Sequence, residues 1–216
     1  MKRIFLMMIA LSLSLLICGP VRAQHIGPYV GANFGVNLLM DAKATDELGN
    51  FNMSYSPALQ WSAVVGWDLK PNSSVGEGRV ELEYTRRSNS LDSVEFVEGK
   101  VSGGGDLTAD SLLLNCIGMI RDESSWSPYI LIGLGAARLD ASGLKVSGQP
   151  LSTDTTTVFA YQLGTGVDYA LTDALSLDFG YRFFGTTAPT FTEPGGQRFK
   201  TDYFSHSVDV GLRVGF

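Results

Sequence analysis

The sequence predicts an all-β fold, an eight-stranded antiparallel up-and-down β-barrel that spans a membrane. Three observations predict it. Eight stretches alternate apolar and polar residues, which gives each strand one apolar and one polar face. Long and short polar connections alternate between these stretches, whereas a soluble sandwich has no reason to place every long loop at one end. Beyond residue 23, no stretch approaches the roughly 18 uninterrupted apolar residues of a spanning helix, so only a closed barrel could cross a membrane.

The strands can be located from the alternation alone. In the last stretch, Val208, Val210 and Leu212 share a face opposite Asp209 and Gly211. Small polar-face residues with single charges suit a narrow, filled interior. The predicted strands are residues 28–38, 59–69, 79–85, 111–120, 128–137, 159–169, 175–183 and 206–216. The predicted long loops are residues 40–55, 87–107, 140–155 and 185–202, and the predicted turns are residues 70–78, 121–127 and 172–173.

Residues 1–23 are predicted to be a secretory signal peptide, which leaves residues 24–216 as one barrel domain. Lys2 and Arg3 precede an apolar core at residues 4–17 that is too short to span a membrane as a helix. Val21, Arg22 and Ala23 then supply a cleavage site before Gln24. A lipoprotein signal at Cys18 is disfavoured because Ile17, rather than a small residue, precedes the cysteine.

Charge and cysteine content exclude several classes of function. Loss of Lys2, Arg3 and Arg22 leaves 13 of the 16 basic residues against 22 acidic ones, a net charge of −9. Nucleic acid is therefore not an expected partner, because phosphate binding needs a basic face. Cys116 would be the single cysteine of the exported chain, so no internal disulfide is expected.

The polar faces of the strands predict a charged barrel interior. An eight-stranded barrel encloses side chains rather than an open channel. We expect an interior charge network formed by Glu81, Glu83, Asp178, Arg182, Asp209 and Arg213. In an antiparallel pair of strands, the numbers of directly opposed residues add up to a constant. Asp178 with Arg213 and Arg182 with Asp209 both add up to 391, so a single register of the last two strands would oppose both pairs. The alternative is that these charges meet lumen water and pair loosely.

No catalytic, cofactor or metal site is predicted. No Cys/His cluster has the spacing of a zinc site, and His25 is expected at the surface near the new N-terminus. Acidic residues in the loops could bind calcium weakly, but we interpret them as solvated charges. These residues are Asp41, Asp46, Glu47, Asp92, Glu95, Glu98 and Asp106.

Outward-facing aromatic residues are expected to form girdles at the two membrane interfaces. The alternative is that they are core aromatics of a soluble sandwich. They are Trp61, Trp67, Tyr84, Tyr169, Phe183 and Phe216.

Three strands carry a resemblance to a known family. Residues 128–135, PYILIGLG, look like the PYxGxGxG-type strand of the OmpA-like and opacity-type outer-membrane barrels. Residues 159–169 and 177–183 and the final Phe216 look similar to it as well. Leu131 stands where that family often has glycine, which would tighten the interior. No peptidoglycan-binding domain follows the eighth strand, so the resemblance implies no anchoring role.

The resemblance implies a location in the outer membrane of a Gram-negative-type bacterium. Both termini would lie in the periplasm, and the long loops, centred near Glu47, Glu98, Ser147 and Gly195, would face outside. Implied partners are outer-membrane lipid and lipopolysaccharide, and a host or cell-surface ligand of the loops. The outer-membrane assembly machinery would recognise the C-terminal strand, with Phe216 as the assembly signal. The chain is expected to be a monomer.

The resemblance favours a non-enzymatic surface protein used in surface interaction, adhesion or envelope integrity. A narrow low-conductance channel is one alternative, and a lipid A-modifying enzyme is another. Barrels of the lipid A deacylase type carry a His, a Ser two residues on, and an acid. Here Val208 lies two residues after His206, while Ser205 and Ser207 point to the opposite face, so we predict that the chain is not an enzyme.

Overall fold

A computed structural model describes residues 26–46, 49–69, 77–121, 124–141, 143–152 and 154–216. The predicted signal peptide, His25, Glu47 and most of the predicted turn at residues 70–78 lie outside these ranges. The described residues contain no helix long and apolar enough to cross a membrane.

The described part of the chain is built from strands. They are, in chain order, β1 (Gly27–Leu39), β2 (Ala42–Thr45), β3 (Asn50–Tyr55), β4 (Ala58–Asp68), β5 (Glu77–Phe96), β6 (Gly99–Gly104), β7 (Asp106–Met119), β8 (Trp126–Asp140), β9 (Lys145–Val146), β10 (Gln149–Pro150), β11 (Thr155–Ala170), β12 (Leu175–Thr186), β13 (Thr190–Thr192), β14 (Arg198–Thr201) and β15 (Phe204–Gly215).

Eight long strands close into a ring. Each pairs antiparallel with the next long strand along the chain, in the order β1, β4, β5, β7, β8, β11, β12 and β15. β15 then pairs with β1, which closes the ring and leaves no free edge among these strands. The predicted eight-stranded antiparallel up-and-down barrel is confirmed.

Alternating burial along each strand separates the bore from the outer wall. On β15, Ser207 and Asp209 are buried in the bore, while Val208 on the wall is 63% exposed. β7 is apolar on both faces, yet Ser111 and Asn115 point inward as predicted. The bore is narrow enough to require glycine beside large side chains. A Cβ added at Gly35 would lie 2.2 Å from Asp209 Oδ1.

The predicted long loops are wrong in one respect, because they contain strands. β5 is 20 residues long and extends to Phe96, well into the segment predicted as the second loop. β6 follows within the same segment. The other three loops form the hairpins β2–β3, β9–β10 and β13–β14. In the β9–β10 hairpin, Ser147 and Gly148 have φ of 49° and 81°, the left-handed pair that a two-residue turn requires.

These extra strands form a compact unit on one end of the barrel, which we call the hairpin cap. It consists of β2, β3, β6, β9, β10, β13 and β14 with the adjoining ends of the long strands. Its sheet runs in the order β13-β14-β2-β3-β5-β6-β9-β10. The cap has its own apolar core, which includes Phe51, Met53, Leu91, Leu107, Leu139, Phe191, Phe199 and Tyr203. We call this end of the barrel the hairpin end and the opposite end the turn end.

The register predicted for the last hairpin is wrong by two residues. β12 and β15 pair with a constant sum of 389, so Ser176 is opposite Arg213 and Gly180 is opposite Asp209. Phe183 is opposite His206 on the outer wall. The inward and outward faces are unchanged, because a two-residue shift preserves the pleat.

Candidate functional site

The bore of the barrel holds the six charged residues expected there. Glu81, Glu83, Asp178, Arg182 and Asp209 are buried, and the Arg213 side chain is 14% exposed. β5 supplies both glutamates, while β12 and β15 supply the other four. Four further buried charges share the bore: Asp68, Arg79, Arg87 and Asp168.

Near the turn end, Asp168 lies between two arginines. Arg213 Nη2 is 3.1 Å from Asp168 Oδ2, and Arg79 Nη1 donates to the same oxygen. The Arg79 Nε atom is 3.7 Å from Glu81 Oε1, which also accepts a 2.6 Å hydrogen bond from Tyr29 Oη. This cluster therefore joins side chains of β1, β5, β11 and β15. It also includes β8, because the Arg79 guanidinium lies over the Tyr129 ring.

In the middle of the bore, Arg182 lies between two carboxylates. Its Nε atom is 3.7 Å from Asp209 Oδ2, and its Nη2 atom is 4.0 Å from Asp178 Oδ1. Asp209 also accepts hydrogen bonds from Gln60 Nε2 at 2.5 Å and Ser207 Oγ at 3.1 Å. These extra donors compensate part of the desolvation of a buried ion pair.

Towards the hairpin end, neutral groups are the hydrogen-bond partners of Glu83 and Arg87, although the Nε and Nη2 atoms of Arg87 are buried without an acceptor among the described residues. Glu83 Oε2 accepts hydrogen bonds from Asn115 Nδ2 at 2.7 Å and Gln162 Nε2 at 2.6 Å. Arg87 donates to Ser111 Oγ at 3.0 Å, and its guanidinium lies 4.1 Å from the centre of the Phe184 ring. Phe184 belongs to the apolar core of the hairpin cap, so the charged layer passes directly into that core.

The bore is filled. A cavity of about 20 Å³ lies among Arg79, Tyr129 and Arg182, and one of about 30 Å³ lies among Asp68, Arg121 and neighbours at the turn end. Each is large enough for little more than a water molecule. Above them, the apolar core of the cap closes the hairpin end. Charged and polar side chains therefore occupy the bore and connect its strands.

The predicted pairing of the interior charges is only partly reproduced. Arg182 does contact Asp209, but diagonally rather than as a directly opposed pair. The pairing of Asp178 with Arg213 is wrong: Arg213 pairs with Asp168, and Asp178 accepts a 3.1 Å hydrogen bond from Tyr129 Oη.

The predicted network omitted these four further charges. Asp68, Arg79 and Asp168 lie in predicted strands on the same face as other polar residues, a signal sufficient to include them, although it could not identify their partners. Arg87 was assigned to a loop and so was missed altogether.

His206 lies on the outer wall, apart from any serine. Its Nδ1 atom is 2.6 Å from Tyr181 Oη, while Ser205 and Ser207 are buried in the bore. Cys116 is exposed on the wall. Among the described residues, no group of three His, Cys, Asp or Glu side chains is arranged to hold a metal ion.

The wall carries the expected aromatic residues. Trp61 and Tyr84 have ring centres 5.4 Å apart nearer the hairpin end, and Trp126 and Tyr169 are 4.5 Å apart at the turn end. Tyr169 is buried rather than exposed, since it packs against Trp126.

Comparison with known proteins gives consistent results. Residues 8–216 match the model of the outer membrane protein beta-barrel domain family. The chain is 24% identical over 195 residues to major surface antigen 4 of Anaplasma marginale, an alignment that covers 77% of this chain and 66% of that relative, just under two thirds of its length.

Two solved structures resemble the fold. OprG, an outer membrane protein of Pseudomonas aeruginosa, superposes with a TM-score of 0.54 at 14% identity over 91% of this chain and 100% of that chain. Neisserial surface protein A gives a TM-score of 0.49 at 21% identity over 89% of this chain and 99% of that chain. With a closed ring of strands, an apolar wall and a family match over nearly its whole length, the chain belongs to the outer membrane protein beta-barrel family and is a protein of the Gram-negative outer membrane.

Proposed function

We propose that this protein is a non-enzymatic surface protein, in which the barrel is a closed membrane anchor and the hairpin cap binds a ligand outside the cell. The observation that carries the proposal is the cap itself. It is a folded unit with its own apolar core, which loops that merely connect strands do not need. The similarity to a protein named as a surface antigen supports the same conclusion.

The solvent-facing side of the cap sheet is the proposed contact surface. Alternation places Lys43, Thr45, Asn52, Glu95 and Lys200 together on this side, and all five are exposed. The opposite side of the same strands supplies the apolar core. A flat polar sheet face on a rigid support suits contact with another macromolecule. Since one chain closes the ring, we propose that a monomer is sufficient.

An adhesion experiment tests this function. Cells expressing the full chain are compared with cells expressing a variant in which Lys43, Asn52 and Lys200 are changed to serine. We expect adhesion to host cells or matrix to fall while the amount of protein in the outer membrane stays unchanged. A matched variant with Thr172 and Asp173 changed at the turn end should adhere normally. Equal adhesion by all three would contradict the proposal.

Lipid A mass spectra distinguish this proposal from an enzymatic function. His206 lacks a serine on its own face of the strand, and this supports a non-enzymatic function. We therefore expect identical lipid A with and without the protein. A modified lipid A that reverts after His206→Ala would overturn the proposal.

The proposal includes export. We propose that residues 1–23 are removed as a signal peptide, so that the outer-membrane form begins at Gln24. N-terminal sequencing of the membrane-inserted protein tests this step, and a sequence that begins upstream of Gln24 would contradict it.

A further inference from the structure

A row of charged residues crosses three strands on the outer wall of the barrel. Arg86 of β5 is directly opposite Asp110 of β7, and Asp110 is directly opposite Arg138 of β8. Both arginines are exposed and Asp110 is half-buried. Two guanidinium groups and one carboxylate give the row a net positive charge, although the chain as a whole is acidic.

The carboxylate does not neutralise both arginines. Arg86 Nη1 lies 3.4 and 3.5 Å from the two Asp110 oxygens, a long contact on a side chain that is 49% exposed. Asp110 Oδ1 also accepts a 2.6 Å hydrogen bond from Tyr84 Oη. Arg138 forms no ion pair with any residue in the described ranges. Among the described residues, the Arg138 guanidinium therefore has no acceptor, and the Arg86 guanidinium is weakly held.

The row lies where the wall changes from apolar to polar. The adjacent row towards the turn end contains Leu112 and Phe159, both of which are exposed. The adjacent row towards the hairpin end contains Ser88, Thr108 and Asp140. An amphiphile whose chains cover the apolar row would place its headgroup at the arginines. The apolar row lies on the membrane side of the arginines, so the ligand is expected from that side.

We propose that Arg86 and Arg138 bind the phosphate group of a phosphorylated lipid whose acyl chains pack against Leu112, Leu134 and Phe159. A guanidinium presents two parallel N–H donors that match phosphate oxygens. Arg86 on β5 and Arg138 on β8 flank β7, so the two groups can contact one phosphate from both sides. The assignment of this site to the outer leaflet of the membrane rests on the proposed orientation of the barrel. The binding site itself is independent of the proposed function of the cap.

Native mass spectrometry of the full chain in zwitterionic detergent tests the proposal. The probes are bisphosphorylated lipid A, the same lipid after removal of both phosphates, and inorganic phosphate. We expect lipid A to bind and its affinity to fall about tenfold or more in Arg86→Gln with Arg138→Gln, because the double change removes both charge-assisted contacts to the phosphate. Arg138→Lys, which keeps the charge but loses the fork, should bind with intermediate affinity.

Arg198→Gln is the matched control for the single variant Arg138→Gln, because Arg198 is an exposed arginine of β14 on the cap and each change removes one positive charge. Its lipid affinity should be unchanged. If the double variant does not fold, Arg138→Gln alone is used, since that side chain loses no ion pair with any described residue. Equal binding of the dephosphorylated lipid, equal loss in Arg198→Gln, or free phosphate that binds as tightly as the lipid would each overturn the proposal.

Discussion

Asp168 illustrates how individual residues stabilise this barrel from within. Its carboxylate contacts both Arg79 and Arg213, which come from strands on either side of the bore. Arg213 also lies 5.2 Å from the centre of the Tyr29 ring. In a bore with cavities for only a few water molecules, an arginine without a carboxylate cannot be hydrated as it would be in bulk solvent.

Removal of Asp168 should therefore be costly. We expect Asp168→Ala to reduce the free energy of unfolding by about 3–5 kcal/mol, because it leaves two buried guanidinium groups without their main partner. Arg213→Ala should cost less, since Arg79 still pairs with Asp168. Urea unfolding in lipid vesicles measures both.

A double-mutant cycle isolates the interaction. Asp168→Ala combined with Arg213→Ala should cost less than the sum of the two single changes. Glu83→Gln combined with Arg213→Ala is the control, and these effects should add, because Glu83 bonds to Asn115 and Gln162 instead. Additive effects for Asp168 and Arg213 would refute the pairing.

For individual residues, the sequence predicts which face of a strand a side chain lies on better than it predicts which side chain it contacts. The period of two assigns Glu81, Asp178 and Asp209 to the bore without knowledge of the fold. It cannot assign Arg213 to Asp168, because β15 and β11 are not neighbours in the ring and their side chains meet over the intervening strand β12. The wrong register has the same origin, since a shift of two residues leaves every face unchanged.

At the scale of elements, the hairpin cap is the largest departure from what the sequence predicts. The alternation continues in β5 beyond Arg87, but polar side chains such as Ser88, Asn89 and Ser90 occupy both faces and hide it. Hairpins as short as β9–β10 contain too few residues to show any period. Their apolar residues become interpretable only when the sheet brings them together in one core.

The apolar core should hold the cap in place. Phe199 is fully buried against Phe191 and Phe51, so Phe199→Ala should destabilise the cap by about 3–5 kcal/mol. Limited trypsin digestion should then cleave at Lys43 and Lys200 faster while the barrel stays intact. Val97→Ala is the control, because Val97 is 93% exposed and should tolerate the change. Unchanged cleavage in Phe199→Ala would contradict a packed cap.

The end of β15 carries a separate prediction. The ring of Phe216 is 72% exposed, so it contributes little to packing, and we propose that it is read by the outer-membrane assembly machinery. Deletion of Phe216 should lower the amount of protein in the outer membrane several-fold while refolding in detergent is unaffected. Phe216→Tyr keeps an aromatic ring and should assemble normally. Equal membrane levels of all three forms would count against this role.

At the scale of the whole molecule, we infer from the filled bore and the capped end that the barrel conducts poorly. The fold class, the strand count and the apolar wall follow from the sequence, because each strand repeats the same two-faced pattern. The apolar core of the cap above the bore does not follow from the sequence, since it depends on four separated segments that come together only in the folded chain. In planar bilayers we expect no discrete conductance steps from the intact chain, and regular steps would contradict this inference.

We propose that the closed barrel displays the hairpin cap outside the cell, and surface labelling of intact cells measures this orientation. Epitope tags are inserted singly after Ser147 and Gly195 in the cap and after Asp173 at the turn end. We expect antibody binding to both cap tags on unbroken cells, and binding to the Asp173 tag only after the outer membrane is permeabilised. Labelling of the Asp173 tag on intact cells, with the cap tags silent, would contradict it.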